Sequence, residues 1–256
     1  MALTVCDPKL HVAYLLRLAD SPLILGQRLS ELTGSAPTLE EETAQANMAL
    51  DLLGQAQLLL EHAAELEGAG RSADDLAFLR DEHEYTNLLI VERPARDFAE
   101  VVVRNLIYSA WATVLWNSLL DSSDATLAAI AAKAQKETAY HARHAAGWAV
   151  RLGDGTDDSA VRMMSAIAEL WPYAHEAFAG DEIDEAVARA GIAPHCSTLE
   201  AAWNTLINDV LERAQLAAPT GEWSQTGGKQ GRHTEALGYV LAEMQYLQRA
   251  HPGATW

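Results

Sequence analysis

The chain has 256 residues, 49% of them hydrophobic, with 36 acidic side chains against 18 basic ones and a formal charge of −18. That is ample apolar material for a core, and the shortage of Lys and Arg argues against a nucleic-acid partner, which needs clustered cations on phosphate. Two cysteines, Cys6 and Cys196, are too few for a disulfide framework; both fall in stretches that read as poorly structured flanks, and the cytoplasm is the expected compartment.

Met1 to Asp7 is too short and too polar for a signal peptide. Asp7-Pro8 predicts an N-cap followed by Pro at the first helical position. A helix then spans Lys9 to Thr33, kinked at Pro22 or restarted with Ser21 as cap, and ended by Gly34 and Pro37. Thr38-Leu-Glu-Glu41 is a capping box that opens a second helix reaching Glu67. Its centre, Asn47 to Leu60, is apolar almost all round except for Asn47, Asp51, Gln55 and Gln57, which predicts cover on most sides.

Residues 68–97 read as a long connection. Arg71 to Glu84 is a short helix, Leu88-Leu-Ile-Val91 fits an extended segment, and Glu92-Arg-Pro94 breaks the chain. Asp97-Phe-Ala-Glu100 is a second capping box and opens a third long helix, Phe98 to Leu120. Its apolar run from Val101 carries Arg104 and Asn105, which marks a buried helix rather than a membrane span.

Only Asp121-Ser-Ser-Asp124 precedes the fourth helix, Leu127 to Leu152, so the third and fourth are expected to be antiparallel neighbours, with Asp124 as cap and Gly153 as stop. Ile130, Ala134, Glu137, His141, His144 and Trp148 share one stripe of the fourth helix. Its middle holds a carboxylate and two imidazoles, which are costly on an inward face unless paired or liganded.

Two long helices, a long crossover and two more long helices predict an all-α, ferritin-like four-helix bundle with one long crossover. We expect a single domain over 1–256, with the bundle over 9–152 and a C-terminal helical extension over 157–256. In that extension a helix over Ser159 to Ala179 bends at Pro172. A short acidic helix covers Asp181 to Ala190, and Thr198 caps another over Leu199 to Leu216. After an irregular Gly-rich stretch the last helix, Thr234 to Arg249, carries Leu237, Val240, Leu241, Met244 and Leu247 on one side.

Ferritin-like oxygenases hold two irons with one Glu on each of two helices and Glu-x-x-His on each of the other two. No Asp or Glu in this chain has a His three residues later. Glu137 is followed at that spacing by Tyr140, with His141 one residue on; Asp51 is followed by Gly54; Ser109 stands on the third helix and Asp20 on the first. The reading is a metal-free, buried polar cluster of Asp20, Asp51, Gln55, Glu137, Tyr140 and His141, with Lys133 or Lys136 either supplying a charge in place of the metal or solvated outside.

Other chemistries fare worse. His83-Glu84 and His175-Glu176 each lack the second His of a zinc-protease helix, and His141-x-x-His144 needs further ligands. Gly227-Gly-Lys229 lacks the remaining parts of a phosphate loop, and there is no nucleophile elbow. The seven Trp read as core or interface anchors.

Several runs carry a family likeness: Asn47-Met-Ala-Leu-Asp-Leu-Leu-Gly-Gln-Ala56, Asp81-Glu with Asn87-Leu-Leu, Lys136-Glu-x-x-Tyr-His141, Gly147-Trp148, and Asp181-Glu-Ile-Asp184. The tail adds Thr226-Gly-Gly-Lys-x-Gly-x-His233 and the helix from Leu241, which together are the most specific part. On these residues nearly the whole chain resembles the C subunits (PaaC) of the multicomponent phenylacetyl-CoA epoxidases.

The resemblance implies a ferritin-like, non-catalytic structural subunit of aerobic phenylacetate catabolism. It would hold no cofactor itself, and would pair with and support a catalytic A subunit that carries the di-iron centre. A B subunit and a flavin/iron–sulfur reductase complete such an enzyme, which uses O2 and NADPH to convert the aromatic ring of phenylacetyl-CoA into a 1,2-epoxide. Some members carry Asp where Ser109 stands, which thins the polar cluster here. In this reading Gly227, Gly228, Lys229, Gly231, Arg232 and His233 form a cationic tail facing a partner or CoA, against the alternative of a solvated basic loop. The competing functions are an active metal-dependent oxygenase with an atypical site at Asp51, Glu137, His141 and His144, and a helical dimerisation module, homodimeric on its own.

Overall fold

The computed structural model describes residues 6–221 and 223–254. Among these, eleven α-helices and no strands occur: α1 Pro8–Ser30, α2 Leu39–Glu67, α3 Ala73–Phe78, α4 Leu89–Glu92, α5 Phe98–Ser118, α6 Ala125–Gly153, α7 Asp157–Leu170, α8 Glu182–Arg189, α9 Glu200–Arg213, α10 Glu235–Met244 and α11 Tyr246–Ala250. The fold is all-α and ferritin-like, with the long crossover between α2 and α5 as expected. The expectation of no leader at Met1–Asp7 falls mostly on residues outside those described.

The chain forms two compact units: Ala95–Thr226, and the stretch up to Pro94 together with the tail from Gly227. This division differs from a bundle over 9–152 followed by an extension, because the tail belongs with the first two long helices.

In the unit that holds the tail, Asp7 accepts the Lys9 amide at 2.8 Å and opens α1. The helix runs unbroken through Pro22 and ends at Ser30, short of Thr33. Ser21 is not a cap: its hydroxyl accepts the Leu88 amide at 3.1 Å and holds the crossover. α2 starts at Thr38, whose hydroxyl accepts the Glu41 amide, and ends at Gly68 in the left-handed region. The two helices pack as an antiparallel pair, with Gly26 against Leu53 and Ala49 near one end and His11 against His62 near the other. Over residues 47–60 the second helix is covered on most sides, as expected, with one side left open at Asn47, Leu50 and Gln57.

Leu88 to Val91 is buried but helical rather than extended. Without a neighbouring strand, a local turn is what meets its backbone donors: the Val91 amide bonds the Leu88 carbonyl at 3.2 Å. At the tail, Leu237, Val240 and Leu241 of α10 are buried, but Leu247 is 51% exposed and Met244 only half-buried. The helix breaks between them at Gln245, whose side chain turns inward to the Arg80 carbonyl (2.9 Å) and the Tyr85 hydroxyl (3.0 Å).

In the unit Ala95–Thr226, Asp97 caps α5 by accepting the Glu100 amide. The Glu100 carboxylate turns instead to the amide and guanidinium of Arg96. α5 with the turn after it is long and apolar enough to cross a membrane, but 78% of its apolar window is buried, as expected of a core helix. Asp124 caps α6, which packs against α5 with Phe98 and Trp148 edge to face at 5.1 Å.

Gly153 is the last residue of α6 and not a left-handed stop. A Cβ there would lie 2.4 Å from the Ala214 carbonyl oxygen, so the glycine is set by the close pass of the chain after α9. α7 ends at Leu170 rather than bending on to Ala179; Pro172, with no amide to donate, lies in the first of two 3₁₀ turns. Thr198 caps nothing: it sits in a 3₁₀ turn with its hydroxyl on the His195 carbonyl, and α9 starts at Glu200. In that turn Cys196 is buried, its thiol directed to the Phe178 carbonyl, so it is not in a loose flank. Trp203 anchors α9 from full burial, donating to the Ile107 carbonyl at 3.1 Å and packing beside Trp171 and Phe178.

Candidate functional site

Asp20, on α1, is wholly buried and fully engaged. Both of its carboxylate oxygens accept from the Arg80 guanidinium, which is itself 3% exposed, and one also takes the Thr86 amide (2.8 Å) and hydroxyl (3.1 Å). Arg80 is fixed by the Leu76 and Glu84 carbonyls and by the face of Tyr85, 4.2 Å below it. Burial works against its charge, but the Asp20 carboxylate more than offsets this, and the Arg80 pKa stands raised. Burial also pushes the Tyr85 phenol up to about 12, so Tyr85 remains a hydrogen-bond donor, to the Ala77 carbonyl.

The cation beside Asp20 is therefore an arginine of the crossover, 60 residues away in sequence, and not Lys133 or Lys136. Lys133 lies 3.6 Å from Glu137, whose side chain is 17% exposed, and Lys136 is exposed. Of the other positions in the expected cluster, Gln55 and His141 are buried and Asp51 is half-buried. Tyr140 is 44% exposed with its ring against His141 and His144, which corrects its placement in a buried cluster. Ser109 is buried with its hydroxyl lacking any hydrogen-bond partner.

These residues do not fit a di-iron centre. The carboxylate of α1 is filled by a guanidinium and two further donors, and the carboxylate of α6 has a lysine ammonium beside it. Where imidazoles are required the chain offers Gly54 and an exposed Tyr140, and Ser109 brings a neutral hydroxyl. Iron needs about six ligands, mostly anionic or imidazole, and this donor set does not supply them.

The tail is built differently from the sequence expectation. Gly227 (φ 139°) and Gly231 (φ 70°) bracket a 3₁₀ turn over Gly228–Gln230. A Cβ on Gly228 would stand 2.2 Å from the Asn87 carbonyl oxygen, and one on Gly231 the same distance from that of His83. These glycines allow the tail to lie on the chain's own crossover.

Lys229 is 5% exposed, and its carbonyl accepts from Arg17 at 3.2 Å. The His233 imidazole is inaccessible: Nε2 donates to the Tyr85 carbonyl (2.8 Å) and Nδ1 to Glu92 (3.3 Å). Nε2 faces an acceptor and so carries a proton; beside an ionised Glu92, Nδ1 carries one as well and the ring is an imidazolium. Burial alone would lower its pKa, but the bonds to Glu92 and to the Tyr85 carbonyl hold it above the ordinary value. Arg28 ties the same junction, donating to the Glu92 and Ala236 carbonyls. Of the three basic residues read as a cationic surface, only Arg232 is exposed.

Sequence reasoning missed Arg80, Tyr85, Glu92 and Gln245, which organise this network. The available signal was Glu92, an acid closing the apolar run Leu88 to Val91, which read only as a chain break.

Among known proteins, the family model described as "Phenylacetic acid catabolic protein" (PaaA_PaaC) matches residues 5–256. The C subunit of the 1,2-phenylacetyl-CoA epoxidase of Escherichia coli (strain K12) is 50% identical over 244 residues, which cover 95% of this chain and 98% of that protein. Two of the likeness-bearing stretches, 81–89 and 226–233, are the two that seat on each other through Gly228, Gly231 and His233. The chain belongs to the phenylacetic acid catabolic protein family.

Proposed function

We propose that this chain is the non-catalytic, structural subunit of a 1,2-phenylacetyl-CoA epoxidase, pairing with and supporting a di-iron catalytic A subunit in the cytoplasm. The observation that carries the reading is the Asp20–Arg80 pair: the buried carboxylate that α1 could offer a metal is already neutralised by a fixed guanidinium. The likeness to the Escherichia coli protein over nearly its full length supports the substrate class and the role in an assembly. In this reading the iron sits in the A subunit, the flavin and iron–sulfur groups sit in the reductase, and the complex also includes a B subunit.

The test is to purify the chain alone and together with the catalytic subunit, to measure iron per chain, and to assay epoxidation of phenylacetyl-CoA with reductase, NADPH and O2. The chain alone is expected to bind substoichiometric iron and give no epoxide, while the pair turns over. Two irons and turnover by the chain alone would overturn the proposal in favour of an active oxygenase.

A further inference from the structure

The outward face of α2 is unlike the rest of this acidic molecule. From Thr43 to Leu58, Asp51 is the one charged residue, and it sits half-buried at the border of the face. Asn47, Leu50, Gly54, Gln57 and Leu58 share one side of the helix over about three turns, with Leu50 67% exposed. The charges lie at the two ends, Glu40 and Glu42 at one, Glu61 and Glu65 at the other. An uncharged, partly apolar centre with a polar rim is the composition of a protein interface and not of a solvated helix. Gly54, having no side chain, lets another backbone come close.

The rim says what fits. A second copy of this chain, laid parallel or antiparallel, would set glutamates against glutamates at both ends, in a protein of net charge −18. We propose that this face docks a helix of a different subunit, one with an uncharged apolar stripe bordered by Lys or Arg at each end. On the reading given under Proposed function, on which this rests, that subunit is the catalytic A subunit.

Titration of the purified chain with the purified A subunit, followed by calorimetry at low and high salt, tests it. Leu50→Glu and Asn47→Arg change exposed side chains, so the fold should be retained, as a thermal melt by circular dichroism will report; should one variant unfold, the other decides. Each is expected to weaken pairing about tenfold or more. Glu61→Lys combined with Glu65→Lys is expected to weaken it several-fold and to flatten its salt dependence. Wild-type pairing that all three variants retain would overturn this face while leaving the pairing reading intact. Failure of the wild-type chain to pair would overturn the pairing reading itself, and this assignment with it. Self-association of the wild-type chain, abolished by Leu50→Glu, would overturn the choice of occupant.

Discussion

At the scale of single residues, three buried acids, Asp20, Glu92 and Glu100, each sit beside a basic side chain: Arg80, His233 and Arg96. Asp20 and Arg80 are both almost without solvent contact, so removing one strands the other. Arg80→Leu is expected to destabilise the protein by about 3–5 kcal/mol in urea unfolding. The double variant with Asp20→Asn should recover part of that loss, because the amide oxygen can still take the Thr86 donors and no bare charge remains. If the double variant is no more stable than Arg80→Leu, charge stranding is not the cause.

His233 adds a pH signature. Its folded pKa is raised, so its contribution is complete below the unfolded value of 6.5 and is lost as pH rises through the folded value. His233→Ala should therefore cost about 3 kcal/mol near pH 6 and less at higher pH. Thermal melts of both proteins across that range check it; a gap that widens with pH would contradict the imidazolium assignment.

At the scale of elements, two close passes of backbone set the tightest constraints. Gly228→Ala drives a methyl into the Asn87 carbonyl, and Gly153→Ala drives one into that of Ala214. Each is expected to cost about 1–3 kcal/mol or more, the first loosening the tail and the second the chain after α9. Amide hydrogen exchange can localise the two effects, which should not overlap because the residues lie in different units.

The four long helices were legible in the sequence because their signals are local: Asp7, Thr38, Asp97 and Asp124 all cap where the pattern predicts. The candidate site was legible only by what it lacks, the Glu-x-x-His pairs. Its positive content was not, since Arg80 meets Asp20, and His233 meets Glu92, across 60 and 141 residues. No periodicity reports a pairing of that range. Ser21 and Gly153 show the complementary error, a residue type with a common local use drawn into a tertiary one.

At the scale of the whole molecule, the tail completes a unit whose helices come first in the chain. Through Gln245, His233 and the carbonyls of Lys229 and Ala236 it engages Arg80, Tyr85, Glu92, Arg17 and Arg28. A chain ending before Gly227 is thus expected to lose protease resistance in the segment up to Pro94 while Ala95–Thr226 stays resistant, as limited proteolysis with mass spectrometry would show. Equal resistance of both segments would mean that the tail is an ornament.

This arrangement also bears on synthesis. The ribosome makes the first helices early and the tail last, with Ala95–Thr226 in between. The middle of the chain can close on its own while the beginning waits, its Glu92 carboxylate still without the histidine it will meet. Birth order and assembly order therefore run opposite ways for the first unit. During that interval the first helices lack the segment that completes their unit, and any change in translation speed between Pro94 and Gly227 lengthens or shortens the wait.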